Sequence, residues 1–148
     1  MTAGAASLPL RLEVEIVPAE ARVGTPSTLL GRLANESGKP QLVNTRLLLN
    51  HPGQSGEVSI EVTGPPGWTN AVQFRIRAGV AGVEFFRELA DGEWVDQSWD
   101  LDQYLDLDAP GDYVITVSYR QERRTTPDGR PLATGVCVAT ATARRFAG

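Results

Sequence analysis

The sequence predicts an all-β protein built as two antiparallel sheets packed face to face, and three observations carry that reading. Apolar and polar residues alternate along most of the chain, the two-residue period of half-buried strands. The alternating runs are short and separated by Gly, Pro and Asn clusters, which punctuate turns. No stretch of ten residues shows helical periodicity, and no internal repeat or low-complexity segment interrupts the pattern.

The elements follow in order. "LRLEVEIV" sets Leu10, Leu12, Val14 and Ile16 on one face and Arg11, Glu13 and Glu15 on the other. "STLLGRLAN" (27–35) is the second strand, ended by the turn-rich "NESGKP". "LVNTRLLLN" (42–50) is read as one strand, followed by the loop "HPGQSG" and the strand "EVSIEVT" (57–63). "GPPGW" (64–68) is a stiff turn, because proline fixes φ and glycine supplies positive φ. "AVQFRIR" (71–77) alternates again. "VEFFREL" (83–89) and "EWVDQSW" (93–99) flank Asp91-Gly92, a hairpin signal of type I′. "YVITVSY" (113–119) and "GVCVATATARRF" (135–146) close the chain around a long loop containing "TPDG". The total is about eight or nine strands, which favours a sandwich of immunoglobulin-like type. Residues 1–7 are expected to be a flexible terminus and 8–148 a single domain.

Composition narrows the function classes. Among 148 residues 41% are hydrophobic and 22% charged, with a net charge of -4; an acidic balance argues against nucleic acid as a partner. One cysteine, Cys137, allows no intrachain disulfide. No run reaches the ~18 apolar residues of a membrane span, and "MTAGAASLPL" lacks the layout of a secretory signal. The chain is therefore expected to be cytoplasmic and to have no membrane partner; export by another route would leave the same sequence. Charge is unevenly spread, with ten acidic residues and one base between Glu84 and Asp112, and six arginines against Glu122 and Asp128 from Arg120 onward.

"DLDQYLDLDAPGDY" (100–113) is the densest charge cluster, with five aspartates and three leucines. A calcium loop begun at Asp106 fails, since Pro110 and Val117 fall where oxygen ligands are required; only a less regular carboxylate-and-carbonyl site remains as a metal alternative. Glycosidase acids must face each other across a cleft, which neighbouring aspartates on one corner do not. A structural corner fits instead. Asp100 and Gln103 have capping-box spacing for one helical turn, which puts Leu101, Tyr104 and Leu105 toward the core and Asp102 outside. "APGD" is expected to form a type II turn with Gly111 at its third position. Tyr113 then enters the next strand as a tyrosine corner, its hydroxyl bonding backbone across the crossover.

These residues also carry a resemblance. "DLDQYLDLDAPGDYVI" resembles the Asp-Leu-Ser…Tyr-Asp-Leu-Ser…Gly-x-Tyr-x-Val segment of Ig-like sandwich domains that accompany some secreted metallopeptidases of the deuterolysin class. Related sandwiches also occur as stand-alone bacterial proteins. Asp100, Leu101, Asp106, Leu107, Gly111 and Tyr113 match, whereas Asp102 and Asp108 replace serine and Ile115 replaces valine. The match spans residues 99–119 and implies a non-catalytic accessory domain; the peptidase's zinc-binding "HExxH" is absent.

Other chemistry is sparse. His51 and Cys137 are the only soft metal ligands, short of the ~three or four a zinc site needs, so no metal or cofactor is expected. His51 lies near Ser55 without a nucleophile elbow and is read as an exposed loop residue; Cys137 is read as a small core residue. Asn35-Glu36-Ser37 is a formal glycosylation sequon. Trp68 either folds back as a lid or stands out as a binding anchor.

The function expected is therefore non-enzymatic: a structural or accessory subunit acting by contact with another protein. A carbohydrate-binding module and a peptidase inhibitor inserting "TGPPGW" are the alternatives. The expected contact residues are Arg120, Arg123, Arg124 and Arg130 on the loop 120–130, together with Trp68. Arginine suits bidentate pairing with carboxylates, and self-association through the opposite charge patches is a further option for the partner.

Overall fold

The computed structural model describes residues 8–52, 56–72 and 77–148. Its strands are β1 (Arg11–Val17), β2 (Glu20–Arg22), β3 (Thr28–Ala34), β4 (Gln41–Asn44) and β5 (Leu49–Asn50) in the first third. They continue with β6 (Val58–Thr63), β7 (Phe86–Leu89), β8 (Trp94–Asp100), β9 (Gly111–Gln121) and β10 (Gly135–Phe146). Among the described residues helix is confined to two single 3-10 turns, Val83–Phe85 and Leu101–Gln103. The all-β expectation holds, with ten strands among the described residues rather than eight or nine.

Three sheets result: β1-β3-β8, β2-β10-β9-β6-β5 and the two-stranded β4-β7. Alternation decides which side of each strand is buried. Leu12 and Ile16 of β1, Leu29 and Leu33 of β3 and Trp99 of β8 meet Val58, Ile60, Ile115, Val117, Tyr119 and Ala141 of the five-stranded sheet in one core. Packing of two sheets on a shared apolar layer is a β-sandwich. Gly31 makes room for that layer, since a Cβ there would stand 2.7 Å from the Trp99 ring. Pairing is mostly antiparallel, but two short edge strands run parallel to their neighbours, β2 on β10 and β5 on β6.

Four sequence expectations are corrected. The segment 42–50 is not one strand: β4 and β5 belong to different sheets, and residues 45–48 cross between them. The 83–89 and 93–99 segments form no hairpin, because β7 pairs with β4 while β8 pairs with β3. Gly92 has φ 85 but Asp91 does not share the positive φ that a type I′ turn needs. Asn35 explains the divergence. It is 0% exposed; its backbone bonds Glu93 O and Gly92 N, and its side-chain amide donates to Lys39 O and Leu89 O. That pin bends the ribbon between β3-β8 and β4-β7, and it buries the sequon asparagine. Within 71–77, residues 73–76 lie outside the described residues, as do residues 1–7 and Ser55, and the described remainder is not strand. His51, finally, is half-buried, with its ring 6.0 Å from that of Tyr104.

Candidate functional site

β9 joins two ends of the sandwich that differ in chemistry. At its start stands the predicted corner. Asp100 caps the 3-10 turn by accepting from Asp102 N at 3.2 Å, and Leu101, Tyr104 and Leu105 are buried beneath it. The Tyr113 hydroxyl donates to Ala109 O at 2.7 Å and accepts from Ala109 N at 3.1 Å. No backbone bond from Asp112 reaches Ala109 among the described residues, so the turn at 109–112 is open and the tyrosine's own contact holds it. Gly111 sits at φ 136, with Pro65 2.7 Å from where a Cβ would be, so only glycine fits.

Trp68 belongs to this corner and is not a projecting anchor. Its indole N–H donates to Asp106 O at 2.9 Å, with Asp108 Oδ1 at 3.1 Å, and its ring meets Tyr113 edge-on at 5.2 Å. The lid reading of Trp68 is therefore the one the structure takes. Burial, then the neighbouring Asp108, pushes the Asp106 carboxyl above the ordinary aspartate range. Among the described residues, no three of His, Cys, Asp and Glu converge on a point that could hold a metal ion.

The other end of β9, at Gln121, lies about 33 Å from Gly111 at ~3.3 Å per residue. Here Gln121, only 5% exposed, gathers the surrounding backbone. Its oxygen accepts from Asn44 N at 3.1 Å, and its nitrogen donates to Ala133 O at 2.8 Å. Beside it the buried Tyr119 hydroxyl donates to Asn44 O at 2.9 Å. The following loop is firmly built despite its polar sequence. Leu132 N donates to Arg124 O and Thr126 N to Arg130 O, both at 2.8 Å. The Thr126 hydroxyl bonds the Asp128 carboxylate, and Leu132 enters a second apolar cluster with Ala81 and Phe86.

Between that loop, residues 78–81 and the start of β6 lies a cleft of about 680 Å3. An ion pair lies along it: Arg46 Nη2 is 2.5 Å from Glu57 Oε2, with side chains only 16% and 9% exposed. The hydrogen bond to Glu57 raises the Arg46 pKa. Arg46 Nη1 also donates to Gly79 O at 2.8 Å and so tethers one side of the cleft. Glu57 accepts in addition from Leu48 N at 3.1 Å. The pair holds the crossover 45–48, where Leu47 takes the positive φ of 50 that non-glycine residues rarely adopt. The Leu47 carbonyl accepts from the Trp99 indole at 3.0 Å.

The structure divides the predicted contact residues. Arg120 and Arg123 both line the cleft. Arg124 and Arg130 do not; Arg130 turns to Asp128 at 3.1 Å, and Arg124 is exposed alongside. Arg120, Arg123 and Arg124 form no ion pair among the described residues. The rest of the basic C-terminal half is spent elsewhere. Arg144 pairs with Asp112 at 2.7 Å and lowers its pKa. Arg145 is 1% exposed, donating to Pro18 O at 3.1 Å and Ser27 Oγ at 2.5 Å; burial lowers its pKa.

No protein-family model matches the chain, and no curated protein matches it. Function rests on the geometry. Among the described residues no helix is long and apolar enough to cross a membrane. The residues that sequence reasoning missed are Arg46, Glu57, Phe86 and Leu132. Their partners lie far along the chain or on the other side of an unpredicted crossover, and no local pattern marks them.

Proposed function

We propose that this chain is a non-catalytic, immunoglobulin-like β-sandwich that works by contact with another protein, as an accessory or structural subunit of an assembly. One observation carries the reading: Arg120, Arg123 and Arg124 stand without ionic partners on one end of an ordered scaffold, beside an apolar-lined cleft. Arginines of a solvated face gain nothing from such clustering, whereas carboxylates on a partner would meet ready donors on a built loop. The split first strand, β1 in one sheet and β2 in the other, supports the immunoglobulin-like part.

The two alternatives lose their anchors. An inhibitor inserting "TGPPGW" would need Trp68 free, and it is committed to the corner. A sugar platform on Trp94, 49% exposed, would compete with Arg32, whose guanidinium lies 4.6 Å over that ring and is held by Asp96 at 2.8 Å.

Affinity capture from the native cell extract, comparing wild type with the Arg120→Glu/Arg123→Glu variant, tests the proposal. The expected result is one or more proteins retained by wild type, released by salt and absent from the variant. An identical set on both baits, or nothing above the control, overturns it.

A further inference from the structure

Among the described residues, the cleft beside Arg120 combines charge without an ionic partner with an apolar floor and the exposed Val80. In the hollow over the outer face of β1, β3 and β8, Arg32 is matched by Asp96 and Glu13 by the neighbouring Arg11, which leaves Glu15 and, among the described residues, no unmatched cation there. The hollow beside β2 contains the Arg144–Asp112 pair. The arginine cleft is different. Among the described residues its one ion pair is Arg46–Glu57, and Arg120 and Arg123 line the cleft beside Glu122 without pairing with it. Its apolar lining comes from Ala81, Phe86 and Leu132, and Val80 stands 68% exposed beside them. Ala81, Phe86 and Leu132 are themselves buried, at 3%, 8% and 9% exposure, and form the floor of the cleft, so Val80 is the apolar side chain left in water on this concave surface.

We infer that this cleft takes an extended acidic segment of a partner protein, with carboxylates on Arg120 and Arg123 and an aliphatic side chain on the Ala81–Phe86–Leu132 cluster. Charge complementarity selects an acidic occupant, and the apolar lining demands more than charge. A chain of alternating acidic and aliphatic residues meets both, because successive side chains of an extended segment point to opposite sides. The volume of about 680 Å3 suits a few side chains and not a folded domain. The Arg46–Glu57 pair supplies rigidity: Arg46 holds Gly79 at 2.8 Å and with it the segment that carries Val80 and Ala81. This inference rests on the protein-contact reading above and specifies what is contacted.

The test is a titration of the full-length 15N-labelled protein with the peptide acetyl-Glu-Leu-Glu-Leu-Glu-amide, followed by amide chemical shifts. Saturable shifts are expected at Ala81, Arg120, Gln121 and Leu132, while the corner at Tyr113 stays still. Replacing leucine by serine in the peptide should weaken binding about tenfold or more, from the loss of one buried aliphatic side chain. Arg120→Ala/Arg123→Ala, checked for an unchanged amide spectrum without peptide, should weaken it by about tenfold or more. Absence of saturable shifts, shifts away from the cleft, or equal binding of the serine peptide overturns the inference. If the titration fails while affinity capture still loses its partner in the arginine variant, the cleft occupant is wrong and the contact reading stands. If both fail, both fall.

Discussion

At its Tyr113 end β9 enters a corner where Asp100, Asp102 and Asp108 each accept a backbone or indole N–H. At its Arg120 end it leaves into a cleft where Arg120 and Arg123 have no ionic partner among the described residues, while Arg46 is paired with Glu57. In the sequence these two regions look alike, each a dense run of one charge. Most of the acidic run is used internally: Asp100 caps a turn, Asp102 and Asp108 hold Ser27 and Trp68, and Asp112 pairs with Arg144. The basic run is used up only in part, by Arg130, Arg144 and Arg145. Charge density therefore says little about function until the partners are counted, and the charges left unmatched are the ones on which the proposed contact is built.

The largest effect expected lies beneath the cleft. Glu57→Ala removes the buried partner of Arg46 and the acceptor of Leu48 N. Stranding one member of a buried pair costs about 3–5 kcal/mol, read as a lowered urea midpoint. A loss near zero would mean that the crossover stands on Leu47 and Trp99 alone, and the rigid-cleft picture would fail.

At the corner, Tyr113→Phe should cost about 1–2 kcal/mol by losing the bonds to Ala109, with no change in capture of a partner. Wild-type stability in this variant would show that Trp68 and the leucines hold the corner unaided.

Alkaline titration bears on both ends. Burial, then the charge of Glu57, raises the Tyr119 pKa above the ordinary 10.0, and burial raises Tyr113 as well. Above pH ~10 the unfolded chain sheds these protons while the folded protein keeps them. Stability is then fully present below pH ~10 and falls as pH rises, by up to about 1.4 kcal/mol per pH unit for each group. Urea midpoints between about pH 9 and 11 should show this slope, and Tyr119→Phe should reduce it.

The smallest stability effect is expected where the functional effect is greatest. Arg123→Glu/Arg124→Glu should shift stability by less than about 0.5 kcal/mol, since neither side chain has a partner to lose. Its partner contact should nevertheless weaken, and the wild-type contact should weaken with salt. A destabilised double variant would place these arginines in the fold and not at an interface.

Much of the fold was legible because its signals are local. Alternation in "LRLEVEIV" and "YVITVSY" announced β1 and β9, and Asp100, Gly111 and Tyr113 announced the corner through capping, turn and tyrosine chemistry that spans only a few residues. Breaks inside continuous apolar runs were not legible. "LVNTRLLLN" carries no Gly or Pro at the crossover; Leu47 is held at φ 50 by contacts with Trp99 and by the neighbouring Glu57 bonds. Asp91-Gly92 looked like a hairpin because turn residues report a change of direction, not which strands then pair; Asn35, 54 residues before Leu89 O, sends β7 and β8 to different neighbours.

The sequence by itself determined the strand periods, the absence of long helix and the anatomy of the corner, because each depends on residues close enough to meet in any compact chain. Only the tertiary structure decided which arginines remain free. Six of them lie from Arg120 onward in the sequence, but pairing with Asp112 or Asp128 and burial against Pro18 and Ser27 remove three. Arg120 and Arg123 came to share a cleft with Ala81 and Phe86 through sheet packing and the Arg46–Glu57 tether. A charge is satisfied by whatever the fold sets within a few ångströms of it, and that neighbour is seldom near it in the chain.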